Sequence, residues 1–143
     1  MQPYTFLEDI AVADVAFEAY GEDLAELFAN CGLATTAVMV DLKTLEEKKK
    51  RKISLLGDDL ERLLFDFLCE LIYLKDTASF LSKRFSVSLN KSVHKYNLRV
   101  ECFGDKFDYK KHAMGNDVKA VTMHLFKIEK IKKGYKATVI LDI

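Results

Sequence analysis

Apolar residues recur along the chain with two periods, a three-to-four residue step in two stretches and a two-residue step almost everywhere else. In the first helical stretch Leu24, Leu27, Phe28, Cys31, Ala34 and Val38 fall on one face, with Asp23 placed to cap it and Gly32 weakening its middle. The second is stronger. Leu60, Leu63, Leu64, Phe67, Leu68, Leu71 and Ile72 build a broad apolar stripe behind Asp58 or Asp59 as the cap. Ahead of the first helix, Tyr4 to Tyr20 reads as one or two strands closed by Gly21 and Asp23. Between the helices, Glu46 to Leu56 reads as a strand with a wet first half, ending at Gly57. Beyond Thr77, alternation returns in Phe85, Val87 and Leu89, in Tyr96, Leu98, Val100 and Cys102, and from Val118 through Ile128. Asn90 and Lys91 mark one turn. Lys132-Lys133-Gly134 marks another, folding Val118 to Ile131 back against Tyr135 to Ile143 and placing Asp142 near Leu125.

This order of elements predicts an α+β fold, with two main helices packed on mostly antiparallel β-sheet, rather than alternating βα units around a parallel sheet. Residues 1–143 form a single domain on this reading, large enough to close a core. The longest irregular stretch is 105 to 117, which holds Phe107, Lys110, Lys111, His112 and Gly115, and loops of that length often carry function.

Charge narrows the picture little. Acids and bases balance at 22 each, so no net field draws in polyanions or membranes, and nucleic-acid recognition would need a local patch. Cys31, Cys69 and Cys102 are widely spaced and odd in number, which suits a reducing, cytoplasmic setting better than a disulfide framework or a zinc site. No run approaches the roughly 18 apolar residues of a membrane span, and no secretion signal opens the chain.

The chemistry is concentrated in carboxylates. Val139-Ile140-Leu141-Asp142-Ile143 reads as a strand with Ala137, Val139, Leu141 and Ile143 on one face and Asp142 on the other, so Asp142 and the terminal carboxylate of Ile143 are held close together. Such a pair repels or is neutralised by a cation or a basic partner. Asp9 and Asp14 lie within an apolar segment, and burying a bare carboxylate costs several kcal/mol, so each needs a partner. A salt bridge is the ordinary answer. A cation shared with Asp142 and Ile143 is the other, and an oxygen-only ligand set favours calcium, magnesium or manganese over zinc.

Other motifs offer less. The six glycines make neither a GxxxxGK[ST] loop nor a GxGxxG turn, and His94, His112 and His124 are isolated from one another and from any serine nucleophile. Cys31 and Cys69 read as core fillers. Lys48-Lys49-Lys50-Arg51-Lys52 could grip phosphates, but in a strand its side chains alternate between two faces, and Glu46 and Glu47 reduce the field, so a solvated edge strand explains it more simply.

Phe6-Leu7-Glu8 with Ala13-Asp14-Val15 and Ala19-Tyr20-Gly21, then Leu63 to Leu68, then Asp117-Val118-Lys119-Ala120-Val121-Thr122-Met123-His124, and finally Val139 to Ile143 together resemble the archease family over essentially the whole chain. The chain departs from the family at Asp9-Ile10-Ala11-Val12, where many members have a His-Thr pair and two fewer residues. The resemblance implies an activator, not an enzyme. It would serve the GTP-dependent tRNA-splicing RNA ligase, promoting its guanylylation and multiple turnover as tRNA halves are joined, and so meet tRNA only indirectly. It further implies a metal site at Asp14, Asp142 and Ile143 holding a divalent cation, calcium first, and a lysine at Lys119 that contacts the ligase or its nucleotide. We expect Lys119, Lys111 and His112 to form the docking rim. In an unbroken hairpin Lys119 lies about six residues beyond the partner of Asp142, some 20 Å at roughly 3.3 Å per residue, so only a bulge or bend would bring it to the acids. The rival readings are an RNA-binding or chaperone module acting on tRNA or on RNA-modifying enzymes, with Lys48 to Lys52 as its RNA contact, and a stand-alone metal hydrolase, for which no nucleophile or general base stands at a recognisable spacing.

Overall fold

Two aspartates start the two helices. The carboxylate of Asp23 accepts from the Glu26 N–H at 2.8 Å and opens α1 (Leu24–Met39), and that of Asp59 accepts from the Arg62 N–H at 3.1 Å and opens α2 (Leu60–Ala78), each satisfying a first-turn donor that would otherwise lack a partner. The structure, a computed structural model, describes residues 2–8 and 14–143, so the expectation for Asp9 lies outside the described residues. The strands are β1 (Tyr4–Leu7), β2 (Asp14–Gly21), β3 (Lys49–Gly57), β4 (Phe80–Lys91), β5 (Tyr96–Lys106), β6 (Ala120–Ile131) and β7 (Gly134–Asp142). They form two sheets with antiparallel neighbours throughout, one ordered β1-β2-β7-β6 and the other β3-β5-β4.

The α+β class with two helices on antiparallel sheet is what the sequence predicts; the division into two sheets is not. Alternation says which residues of a strand share a face, not which strands pair. The turn expected at Asn90-Lys91 sits slightly later, where the Ser92 N–H donates to the Lys95 carbonyl at 2.8 Å. The basic segment is an edge strand, exposed from Lys49 to Lys52 before Ile53 turns into the core. Both helices pack against both sheets. Phe67 of α2 stacks with Phe28 of α1, ring centroids 6.2 Å apart, and meets Phe85 of β4 edge-on at 5.8 Å, while Phe65 meets Phe126 of β6 at 5.6 Å. These aromatic contacts join the helices to each sheet in one buried cluster.

The terminal hairpin corrects the predicted register. It turns at Lys132-Lys133, where Ile131 pairs with Gly134. Gly134 has φ +132°, and a Cβ there would lie 2.1 Å from the Gly21 carbonyl oxygen, so only glycine fits. Pairing runs regularly to Lys127 opposite Thr138, breaks, and resumes with Thr122 opposite Ile140 and Ala120 opposite Asp142. Met123 to Phe126 therefore stand against Val139 alone. The turn by itself would set Met123, not the predicted Leu125, across from Asp142; the three surplus residues move the partner on to Ala120, and because three is odd they exchange the faces of β6. Phe126 and Ile128 point to the helices on the turn side of the bulge, and Val121 does so beyond it. Leu125, 55% exposed, lies inside the bulge with φ +56°, in the left-handed region that a leucine rarely enters.

The loop between β5 and β6 is fastened at several points. The Gly115 and Asn116 N–H groups donate to the Met39 and Val38 carbonyls at 2.7 and 2.9 Å, satisfying the end of α1, and the Asp41 N–H donates to the Ala113 carbonyl at 2.8 Å. The strongest tie is Lys75. Only 7% exposed, it continues the apolar stripe of α2, and its ammonium donates to the carboxylates of Asp117 and of Asp76 (2.8 Å) and to the Val118 carbonyl (2.8 Å). A lysine has three donors, and here all three are used. Burial opposes its charge, but the hydrogen bonds to Asp117 and Asp76 outweigh it and hold the pKa above the ordinary lysine value.

Two stability predictions result. Leu125→Gly leaves stability unchanged or raises it by up to about 1 kcal/mol by relieving the left-handed leucine, whereas Leu56→Gly at an exposed position of β3 costs about 1 kcal/mol; urea unfolding of both variants checks the contrast. Lys75→Met lowers stability by about 1–2 kcal/mol at neutral pH, a moderate loss because Asp117 and Asp76 face solvent and are rehydrated. The charge contribution of Lys75 is complete below lysine's ordinary pKa of 10.5 and is lost as pH rises through its raised folded value, so the difference between wild type and variant narrows only at the alkaline end of a pH series of urea melts.

Candidate metal and partner-docking site

The candidate site is built on one transverse row of the four-stranded sheet. Asp14 at the start of β2, Asp142 at the end of β7 and Ala120 at the start of β6 are mutual neighbours in register. Residues directly opposite one another in antiparallel strands share a face, so the Asp14 and Asp142 carboxylates project to the same side, with Cβ atoms about 4.5–5.5 Å apart. The helix-facing residues of these strands are Val15, Phe17, Val139 and Leu141, so the two acids stand on the opposite face. Both are half-buried, and Ile143 follows Asp142 directly.

Like charges set opposite one another destabilise a sheet. Among the described residues, no basic side chain lies within 4.0 Å of either carboxylate. One step along the same face, the Thr122 hydroxyl oxygen is buried without a hydrogen-bond partner among the described residues. The local donor set is thus oxygen only, which suits a hard divalent cation. Among the described residues, no group of three His, Cys, Asp or Glu side chains is arranged to hold a metal, so a cation here would rest on the two aspartates together with main-chain oxygens such as that of Ile143. The thiols do not contribute: burial pushes Cys31 well above the ordinary thiol range and Cys102 up to about 11, the latter only partly offset by a hydrogen bond with Ser82.

Lys119 is adjacent to the acids, not some 20 Å away, because the register of the turn and the bulge together bring the partner of Asp142 from Leu125 to Ala120. Its N–H donates to the Asp142 carbonyl at 2.8 Å. Since Ala120 shares the face of Asp142, alternation turns Lys119 toward the helix side, where it borders an open groove of about 290 Å³ with Tyr73 and Asp76 of α2. Tyr73 is 60% exposed there.

Lys111 and His112 lie elsewhere, on the part of the loop fastened to the end of α1 and to Thr44, whose hydroxyl accepts from the Ala113 N–H at 3.1 Å. His112 is 5% exposed, and its Nδ1 accepts from the Asp108 N–H at 2.9 Å, so it organises its own loop; Lys111 is exposed. Sequence reasoning passed over Lys75, which fixes Asp117 and Val118, the two residues before Lys119. The signal was present, since Leu68, Leu71, Ile72 and Lys75 continue one apolar stripe at helical spacing, and a lysine in such a stripe requires buried acceptors.

The sequence profile of the Archease protein family matches residues 4–143. Protein archease of Pyrococcus furiosus is 39% identical over 132 residues, spanning 92% of this chain and 93% of the relative. The solution structure of protein 1598 of Methanobacterium thermoautotrophicum superposes with a TM-score of 0.88 at 33% identity, with all of each chain covered. The Thermotoga maritima structure described as an archease, "possible chaperone", shares the fold, with a TM-score of 0.57 at 18% identity over 93% of each chain. With near-complete coverage in both directions and the profile match running to the last residue, the chain belongs to the archease family.

Proposed function

We propose that this protein is a non-catalytic activator of the GTP-dependent tRNA-splicing RNA ligase, promoting ligase guanylylation and repeated turnover, and that Asp14, Asp142 and Ile143 seat a divalent cation, calcium in preference to magnesium or manganese. One observation carries the reading: two carboxylates are set directly across a sheet from one another, on the face away from the helices, with no basic side chain to neutralise them among the described residues. Two like charges in that position lower stability unless something positive joins them. A divalent ion bound there supplies a concentrated positive charge able to offset the charge of a nucleotide triphosphate.

The chain's own residues do the rest. Pairing of β7 on both edges holds the Asp142 and Asp14 oxygens in place, and Lys75 fixes Asp117 and Val118 so that Lys119 emerges between the acidic row and the α2 groove. Lys119 offers a cation on a rigid base, suited to a carboxylate or phosphate of a partner. Lys111, at the far end of the fastened loop, forms a second exposed contact. The family favours an accessory role over hydrolysis.

Two experiments test the reading. Asp14→Ala and Asp142→Ala keep the fold, as judged by circular dichroism, and lose stimulation of ligase guanylylation by at least about tenfold, a loss of roughly 1.4 kcal/mol of coupling; full stimulation by both variants refutes the proposal. Independently of activity, calcium at about 100 times its Kd raises wild-type stability by about 2.7 kcal/mol. It leaves Asp142→Asn unchanged, and in chelator that variant is more stable than wild type by up to about 1 kcal/mol because the repulsion is gone.

A further inference from the structure

The three-stranded sheet has one face against the helices and one away from them, and the register shows what the second face carries. Lys50 of β3, Phe103 of β5 and Arg84 of β4 form one transverse row; Lys52, Glu101 and Ser86 form the next; Ser54, Arg99 and Ser88 form the third. Ile53, Val100 and Phe85, one residue out of step, point to the core. Four of the chain's basic side chains thus share a surface although the chain as a whole is neutral.

Two of the four are already engaged. Lys50 pairs with Glu101 at 3.1 Å, and Arg84 pairs with Glu47 at 3.0 Å while its guanidinium lies 4.0 Å from the centre of the Phe103 ring. Lys52 and Arg99 are exposed and have no carboxylate within 4.0 Å among the described residues. They are diagonal neighbours on adjacent strands, about 7–8 Å apart at the backbone. With Ser54, Ser86, Ser88 and Glu101 they line an open concavity of about 450 Å³. Its free cations are therefore flanked by hydroxyl donors, the side-chain types that contact phosphate oxygens.

We propose that this face of the β3–β5–β4 sheet binds the backbone of single-stranded RNA, with Lys52 and Arg99 neutralising neighbouring phosphates and Ser54, Ser86 and Ser88 donating to their oxygens. A repeating anionic chain matches free cations and hydroxyls repeated over successive rows better than a single compact anion does. The flat Arg84 guanidinium on Phe103 adds a plane on which a base can stack. An anionic lipid surface fits less well, because Leu56 is the exposed large hydrophobic residue on this face and one such residue is a weak membrane anchor. The inference is independent of the acidic row, which lies on the other sheet, so either can fail alone.

Fluorescence anisotropy with a labelled single-stranded oligouridine of about 15 nucleotides, titrated at about 50 and 200 mM salt, tests it. Wild type binds at the lower salt and weakens at the higher. The double variant Lys52→Glu with Arg99→Glu binds at least about tenfold more weakly, Lys52→Gln with Arg99→Gln falls between, and the slope of log affinity against log salt flattens by about 1.4, at 0.7 per phosphate contact. Asp142→Ala binds as wild type. Thermal melts verify that the variants are folded; Lys52 and Arg99 both stand at exposed positions of the sheet. Absence of wild-type binding at low salt, unchanged affinity and slope in the charge-reversed double variant, or preference for phosphatidylserine vesicles over RNA at equal charge would each overturn the proposal.

Discussion

Pairing of β7 on both of its edges is the constraint from which the rest follows. A strand paired with β2 from Tyr135 to Asp142 and with β6 on either side of the bulge has its neighbours fixed on both edges, so residues 134–142 are held in register as well as in position. Its helix-facing residues, Ala137, Val139 and Leu141, join the core, and that anchoring leaves Asp142 no choice of face. The same ladder that closes the core therefore sets two carboxylates opposite each other. That arrangement lowers stability locally and is tolerated because the strands on which it rests are held elsewhere, as is common at sites that bind something.

The helices were legible in their apolar stripes and in the Asp23 cap, which are local in sequence, while the choice between Asp58 and Asp59 fell to Asp59 only in the structure. The strands, the wet first half of β3 and the turn at Lys132-Lys133 were legible too. Partnership was not. Nothing in the alternation of Tyr96 to Cys102 says that β5 lies between β3 and β4, because pairing depends on which apolar faces both helices can cover together. The bulge was invisible for a related reason. From Val118 to Ile128 apolar residues alternate well enough to suggest one continuous strand, and the change of face hides within Met123, His124 and Leu125, which have no obligation to either side. Asp9, Asp14, Asp142 and Ile143 stood out from their types and their apolar surroundings, and the family resemblance narrowed them to Asp14, Asp142 and Ile143; the position of Lys119 was not legible, because it depends on three residues of slack in β6. Lys75 was readable in principle, as a lysine in an apolar stripe, but its partners Asp117 and Val118 are more than forty positions away.

Net neutrality conceals a division of charge between the sheets. The unpaired acids of the four-stranded sheet and the unpaired bases of the three-stranded one stand on faces turned away from the helices, while Lys127 and Lys136 on the first are already matched by Glu18 and Glu129. At physiological salt the screening length is about 8 Å, so each surface interacts with its surroundings largely on its own. Overall balance then serves solubility and specificity together, since neither polyanions nor polycations are attracted indiscriminately.

The irregularity in β6 also separates two dimensions of the molecule that an unbroken hairpin would lock together. On the turn side, spacing is dictated by the turn itself; on the far side, it is dictated by Asp142. The slack between them works as an expansion joint. The tip and the acidic row are therefore seated separately, with opposite faces of β6 turned to the helices on the two sides of the joint.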